Sequence, residues 1–320
     1  MAGNFNHQST ADDVLEGINL QDKRVLVTGG ASGIGAETVR AMAAKGAEVI
    51  IAARNQQQAE EVQAAVVAAT GNQNISIVSL DLASLVKVDA AAREFLQRFD
   101  RLDVLINNAG VMACPFDKTV DGFELQFGSN HLGHFYLTKL LMPALLNAES
   151  ARVVALTSMA HRMSPMVFDD LQYERRDYEK WQAYGQSKTA NALFAVGLSA
   201  RYANQGVEAF SVHPGAIATP LGRHLSDAEI QQLVNANQTS ANNPDAADGG
   251  IKTVAQGAAT SCYAVTAAEL IGKGGAYLED CQIAQVVADD PNFRGGVRDY
   301  AIDPSHADQL WSISEELIGR

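Results

Sequence analysis

Short apolar runs alternate along this chain with longer stretches of helical pattern. Residues 24–28 (RVLVT) read as a strand and 33–46 as a helix; 48–53 (EVIIAA) is the next strand and 57–70 the next helix. A third strand over 75–81 leads into a helix over 85–99, and a fourth strand lies at 102–107. Beyond it, 122–142 reads as helical, 152–157 (RVVALT) as a strand, 184–204 as a long helix and 207–213 as another strand. Strand–helix alternation at this spacing predicts βαβ units and a parallel sheet. The strands are near-continuous Val, Ile and Leu, as expected where helices cover both sheet faces. The expected fold is α/β, a doubly wound parallel sheet flanked by helices, in a single domain over 21–320. Residues 1–20 precede the first strand and are expected to pack as an arm. The polar stretch 235–250 (NANQTSANNPDAADGG) reads as a loop or lid, since no domain-sized segment follows it.

Composition narrows the classes. A length of 320 residues with 47% apolar content suits one large α/β domain. The chain carries 24 Lys and Arg against 37 Asp and Glu, a net charge of −13. That balance argues against nucleic acid or an anionic membrane as partner. The three cysteines, Cys114, Cys262 and Cys281, have no pair spacing, which excludes a disulfide framework and fits a reducing compartment. The N-terminus lacks the basic start and apolar core of a signal peptide, and no window approaches the roughly 18 apolar residues of a membrane span. The expected location is cytoplasmic.

Candidate chemistry begins at Thr28-Gly29-Gly30-Ala31-Ser32-Gly33-Ile34-Gly35, between the first strand and the first helix. Glycines there let the backbone turn sharply and approach a pyrophosphate, which the helix N-terminus receives with N–H donors and a positive dipole end. Gly29, Ser32, Gly33, Ile34 and Gly35 are the cofactor-binding candidates of this turn. The second strand ends Ala52-Ala53-Arg54-Asn55 with no acid to bond the 2′-hydroxyl of NAD, whereas Arg54 suits the 2′-phosphate of NADP. NADP(H) is therefore the preferred cofactor and NAD(H) the second choice. Asp81 and Leu82, ending the third strand, either contact the adenine edge or, in the case of Asp81, cap the next helix.

Tyr184 and Lys188 form a YxxxK pair (YGQSK) on one helix face, so hydroxyl and ammonium converge. A free Tyr has a pKa near 10, and a neighbouring cation favours the phenolate. Ser158 ends the strand RVVALTS at the carboxyl edge, where α/β sheets bind ligands. Asn130 lies in GSNHLGH inside a helical pattern, where an Asn is mildly unfavourable; it either packs against a neighbouring helix or serves the site.

Assembled in order, TGGASGIG (28–35), NNAG (107–110), Asn130, Ser158, YGQSK (184–188) and HPGAIAT (213–219) make the chain resemble the short-chain dehydrogenase/reductase family. It is most similar to the retinol-dehydrogenase-like and WW-domain-oxidoreductase-like branch, on STADDVLEGINL, AAR, FDDLQYE, SKTANALF and GGAYLEDCQIAQ. The resemblance implies a Rossmann-type fold and hydride exchange between a nicotinamide cofactor and a hydrophobic or aromatic ketone or aldehyde and its alcohol. It implies catalytic roles for four residues. Tyr184 is the acid/base. Lys188 lowers its pKa and bonds the nicotinamide ribose. Ser158 orients the substrate oxygen, and Asn130 holds a water in a relay to Lys188. Asn108, Ala109 and Gly110 are implied on the adenosine side, and Pro214, Gly215, Ile217 and Thr219 around the nicotinamide. It also implies a homodimer or homotetramer without choosing between them.

Ser158 and Tyr184 stand about twice as far apart as in the simplest members. The extra piece, 161–181, and a lid over 220–250 are expected to wall the substrate pocket. The membrane anchor of many retinol dehydrogenases is missing from the expected pattern, which argues against a membrane-dissolved substrate. Two other readings carry less weight. A cofactor-sensing protein would be favoured by loss of Tyr, Lys or Ser, all present. An extended-type epimerase or dehydratase resembles TGxxGxxG, whereas this chain reads TGGASGIG. No metal is expected: His131 and His134 stand three apart, with no third ligand at matching spacing. Cys114 reads as an inert thiol, and Glu279, Asp280, Asp289 and Asp290 as a solvated surface.

Overall fold

The computed structural model describes residues 5–241, 250–288 and 295–319. Ten strands are present among the described residues: β1 (Arg24–Thr28), β2 (Glu48–Ala53), β3 (Ile75–Ser79), β4 (Val104–Asn107), β5 (Ala151–Leu156), β6 (Val207–His213), β7 (Ala216–Ile217), β8 (Ile251–Lys252), β9 (Tyr277–Glu279) and β10 (Gln282–Ile283). Eight of them form one sheet in the order β10-β9-β6-β5-β4-β1-β2-β3, and β7 pairs with β8 apart from it. Pairing is parallel from β3 to β9 and antiparallel at β9–β10. The chain order reverses direction at β1, which pairs with β2 on one side and β4 on the other. The fold is a Rossmann-type doubly wound sheet, and that reversal is its switch point, where such sheets receive ligands.

Strand periodicity explains the two-sided core. Leu26, Ile50 and Ala52 belong to one buried cluster, while their neighbours Val25, Val27, Val49 and Ile51 belong to the other. Successive side chains point to opposite faces, so both faces need apolar residues and the strands read as unbroken apolar runs. One cluster takes residues from the helices Leu85–Arg98, Gly133–Leu146, Lys180–Tyr202 and Pro304–Leu317; the other from Gly33–Ala44 and Val254–Thr266. Helix ends follow local chemistry. Asn55 caps Gln56–Thr70 by accepting from the Gln58 N–H at 3.2 Å, and Gly71 ends that helix at φ 73°. The N-terminal segment carries a short helix, Ala11–Val14, closed by a Thr10/Asp13 capping box, with Ala11, Val14 and Leu15 buried.

Two expectations need correction here. The helix expected over 122–142 is broken into Leu125–Phe127, a π-helical turn Gly128–Leu132 and Gly133–Leu146. The stretch 235–250, expected as a loop, is in part helical: Asp227–Ala241 is a helix opened by Ser226 and Glu229, whose groups bond one another across its first turn. Residues 242–249 lie outside the described residues.

Candidate active site

The glycine turn leaves β1 with Gly29 at φ 66° and Gly33 at φ 52°, left-handed values that favour glycine. A Cβ on Gly35 would stand 2.3 Å from the Gly29 carbonyl oxygen and 2.5 Å from Asn108 Nδ2. The turn therefore doubles back on itself with no room for a side chain. Ser32 stands at the N-cap of Gly33–Ala44 without capping it through its hydroxyl. The segment after β6 lies against the turn: a Cβ on Gly33 would be 3.4 Å from Thr219 Cγ2, and Ile34 and Ile217 both crowd Gly257. Gly215 adopts φ 97° under the buried Lys252 side chain, beside Pro214.

The loop after β4 locks onto the same turn. The Asn108 and Ala109 N–H groups donate to Thr28 Oγ1 at 2.9 and 3.0 Å, and Asn108 Nδ2 donates to the Thr28 carbonyl at 2.7 Å. A Cβ on Gly110 would meet Asn130 Oδ1 at 3.1 Å and Lys188 Nζ at 3.8 Å, so this loop bridges the turn to the YxxxK helix. Arg54 is exposed at the end of β2, and its guanidinium has no protein partner among the described residues. Asp81 accepts from the Ala83 N–H at 3.2 Å and pairs with Lys87 at 3.0 Å, a turn just ahead of the helix that Ser84 begins. Leu82 packs its backbone on Gly133.

The helix Lys180–Tyr202 presents Tyr184 and Lys188 one turn apart, both buried. Lys188 Nζ donates to the Leu156 carbonyl at 3.0 Å and stands 5.5 Å from the Tyr184 ring centre. The Ser158 side chain stands near enough to the Tyr184 hydroxyl to act on its pKa. Ser158 also accepts from the Ala160 N–H at 3.1 Å, which fixes the turn Met159–Met163. Burial pushes the Lys188 ammonium down to about 8. Burial also pushes the Tyr184 phenol up, with the Ser158 side chain opposing it. The rise has its cause in hydration, which a phenolate enclosed in protein loses.

Asn130 stands in the π-helical turn, where the Gly133 N–H reaches back to the Gly128 carbonyl. Its side chain is fully engaged: Nδ2 donates to the Val111 carbonyl and Ser187 Oγ, each at 2.9 Å, and Oδ1 accepts from the Val111 N–H at 2.8 Å. Its amide therefore joins the β4 loop to the YxxxK helix, as the packing alternative had it. Its main-chain carbonyl faces His134, whose Nδ1 lies at 2.9 Å.

The extra piece between Ser158 and Tyr184 is stitched down by side chains. Gln126 Nε2 donates to Tyr178 Oη at 2.8 Å and to the Lys180 carbonyl at 2.9 Å. Gln186 Oε1 accepts from Arg176 at 2.8 Å, and Gln186 Nε2 donates to the Leu171 carbonyl at 3.0 Å. Trp181 meets the Tyr184 ring edge-on, with centroids 6.4 Å apart. The helix Asp227–Ala241 reaches this wall through a Lys180–Glu229 ion pair at 2.5 Å.

Several contributors act through contacts that no motif in the sequence announces. Thr28 and Gln126 act through hydrogen bonds to residues dozens of positions away. His161 accepts from the Arg298 N–H at Nε2 (3.1 Å) and so donates from Nδ1 to the Ser158 carbonyl (2.8 Å). His131 and His134 serve different regions: His131 bonds Ser314 Oγ at 2.8 Å, and His134 bonds Thr28 Oγ1 at 2.8 Å. Cys114 is buried, and burial pushes its thiol up to about 11, away from the reactive thiolate. The solvated acidic surface expected near the C-terminus needs correction. Glu279 is half-buried and accepts from the Gly296 N–H at 2.7 Å, and Asp280 pairs with buried Lys252 at 2.5 Å. Asp289 and Asp290 lie outside the described residues. No helix among the described residues is long and apolar enough to cross a membrane.

A family model described as short chain dehydrogenase matches residues 23–230. A "probable oxidoreductase" of Streptomyces lividans is 43% identical over 303 residues, covering 94% of this chain and 99% of its own. Human retinol dehydrogenase 12 is 37% identical over 302 residues, covering 94% of this chain and 88% of its own. Among solved structures, the RhlG/NADP active-site complex of Pseudomonas aeruginosa aligns over 81% of this chain and 95% of its own, at TM-score 0.64 and 25% identity.

Proposed function

This chain belongs to the short-chain dehydrogenase family, in its retinol-dehydrogenase-like branch, and from that premise we propose that it interconverts a hydrophobic or aromatic ketone or aldehyde and the corresponding alcohol, preferring NADP(H). The observation that carries the reading is the buried Tyr184–Lys188 pair on one helix face, with Lys188 Nζ 5.5 Å from the Tyr184 ring centre and held on the Leu156 carbonyl. In this reading Tyr184 gives its proton to the carbonyl oxygen during reduction and takes it from the hydroxyl during oxidation. Ser158 holds the same oxygen. Lys188 stands by the ring to favour the phenolate when the proton leaves, and the Asn130 carbonyl holds a water that replenishes it.

The residues present suit a dinucleotide. The Gly29–Gly35 turn excludes side chains as a phosphate-binding turn must, and a helix begins directly behind it. Arg54, exposed and without a protein partner among the described residues, is the candidate for a 2′-phosphate. Asn108, Ala109, Gly110, Asp81 and Leu82 are assigned to the adenosine side, and Pro214, Gly215, Ile217 and Thr219 to the nicotinamide side. When bound, the cofactor supplies or takes up the hydride. Residues 161–181 and the helix Asp227–Ala241 are assigned as the walls of the substrate cleft, with Trp181 as an apolar surface beside the Tyr184 ring. Three free, buried cysteines suit work in the reducing cytoplasm.

A panel of ketones, aldehydes and secondary alcohols with NADPH, NADH and their oxidised forms tests the reading. Turnover of apolar carbonyls with NADPH is expected. An absence of nicotinamide-dependent turnover across the panel would refute it.

A further inference from the structure

His134 is buried and lies outside the four catalytic candidates, yet both of its ring nitrogens contact functional segments. Nδ1 is 2.9 Å from the Asn130 main-chain oxygen and Nε2 is 2.8 Å from Thr28 Oγ1. A carbonyl oxygen only accepts, so Nδ1 carries the proton. Nε2 is then a lone pair that accepts from the Thr28 hydroxyl. That direction agrees with the other side of Thr28, whose oxygen already accepts from the Asn108 and Ala109 N–H groups at 2.9 and 3.0 Å. A proton added to Nε2 would make a third donor to an oxygen with two lone pairs. The geometry therefore holds one tautomer of the neutral ring. Burial, with the Lys188 ammonium nearby, pushes the ring down to about 4, in the same direction.

The bonds form one continuous path: two N–H groups of the β4 loop, the Thr28 hydroxyl at the start of the glycine turn, the His134 ring, and the Asn130 carbonyl. Asn130 sits in a π-helical turn, a backbone form that is rare and recurs at functional sites. Its amide is consumed by Val111 and Ser187, so its carbonyl is the group left to hold a relay water, and His134 is the side chain that aims that carbonyl. The backbone of the helix is anchored from the same residue, since Thr138 Oγ1 donates to the His134 carbonyl at 2.8 Å and accepts from Asn107 Nδ2 at 3.1 Å.

We propose that His134 is a positioning residue for the reaction: its neutral imidazole joins the Asn130 carbonyl to the Thr28 hydroxyl, so that the relay side of the site and the cofactor turn keep one fixed separation. The proposal rests on the function proposed above. Its two contacts do different work. The Nδ1–H contact orients the relay carbonyl and acts on proton transfer. The Nε2 contact braces the turn and acts on cofactor affinity.

Two isosteric substitutions separate them. His134→Asn places an amide N–H where Nδ1–H stands and loses the Thr28 contact. His134→Gln places an amide oxygen where Nε2 stands and loses the donor to Asn130. For His134→Gln, kcat is expected to fall ~10-fold with a displaced kcat–pH profile and an NADPH Kd near that of the unsubstituted chain. For His134→Asn, the NADPH Kd is expected to rise ~10-fold while kcat and its pH profile stay close to those of the unsubstituted chain. Parallel loss of kcat and Kd in both variants, or no change in either, overturns the proposal. Nitrogen-15 NMR of the unsubstituted chain keeps the question open to test if the variants do not fold. A neutral Nδ1–H tautomer is expected at pH 7; an Nε2–H tautomer or a cationic ring overturns the proposal. Should the unsubstituted chain turn over nothing, the proposed function fails, while the Kd and NMR results still decide the His134 link.

Discussion

The glycine turn and the segment between Ser158 and Tyr184 flank the same candidate catalytic side chains, but they are held in place by different means. The turn is fixed by main-chain sterics: Gly35 has Gly29 O and Asn108 Nδ2 where a Cβ would stand. The wall over 161–181 is fixed by side chains reaching across the sequence, Gln126 to Tyr178 and Gln186 to Arg176. Such a turn tolerates almost no replacement, whereas a stitched wall can exchange partners and keep its path. The cofactor side is thereby held constant while the substrate side is left adjustable.

Gly35→Ala is the most severe way to strike the first region. We expect a loss on the order of 3 kcal/mol of stability or no detectable NADPH binding, measured by thermal melting and fluorescence titration. Gly71→Ala, also left-handed but in open space, should cost only ~1 kcal/mol. Equal losses at the two positions would break the argument from crowding.

Acid should weaken both regions together, because buried histidines brace each of them. Burial pushes His131 and His213 down to about 3, and His134 and His161 down to about 4. Below the unfolded value of about 6.5 the unfolded chain takes up protons that the native chain refuses, so stability falls as pH falls from about 6.5 towards 4. Each such histidine contributes about 1.4 kcal/mol per pH unit over that window. Glu124 and Glu279, raised by burial, take up protons more readily in the native chain than in the unfolded one and so oppose the trend. We expect stability to fall with pH by up to ~5 kcal/mol per pH unit in denaturant titrations between pH 6 and 5, the two glutamates reducing the slope. A flat or inverted slope would show that the histidines are protonated in the folded chain.

Arg54→Ala sharpens the cofactor side. NADPH should bind ~10- to 100-fold more weakly, with NADH little altered. Equal losses for both would remove the 2′-phosphate assignment. The mildest test falls on the wall. Tyr178→Phe removes the acceptor of Gln126 Nε2 and the donor to the Cys114 carbonyl, each a single hydrogen bond. We expect a loss of ~1–2 kcal/mol and a raised KM for the carbonyl substrate at an unchanged NADPH Kd. A weakened NADPH Kd would mean that the two regions are not separately held.

How much could be read in the sequence follows the same division. Strands β1 to β6 and the glycine turn were legible because both obey local rules: unbroken apolar runs for a sheet covered on both faces, and glycine where no side chain fits. Tyr184 and Lys188 could be singled out by spacing, Ser158 by its strand end, and Asn130 as an Asn inside a helical pattern. The π-helical turn was not legible, since GSNHL has no propensity signature for an extra residue per turn. The helix Asp227–Ala241 is polar with only weak periodicity, so its last residues, 235–241, fell within a stretch that reads as a loop or lid. The helix Val254–Thr266 is built largely of small residues and has nine consecutive buried positions, Gly257–Val265, so no amphipathic pattern marks it. Thr28, His134 and His161 act through hydrogen bonds spanning up to 137 positions, and nothing local announces such bonds.

Turnover by Tyr184→Phe tests the central claim most directly. With NADPH and the best substrate of the panel, kcat should fall at least ~10³-fold while the NADPH Kd stays within about twofold of the unsubstituted chain. Retention of most of the turnover would contradict the assignment of Tyr184 as the proton donor.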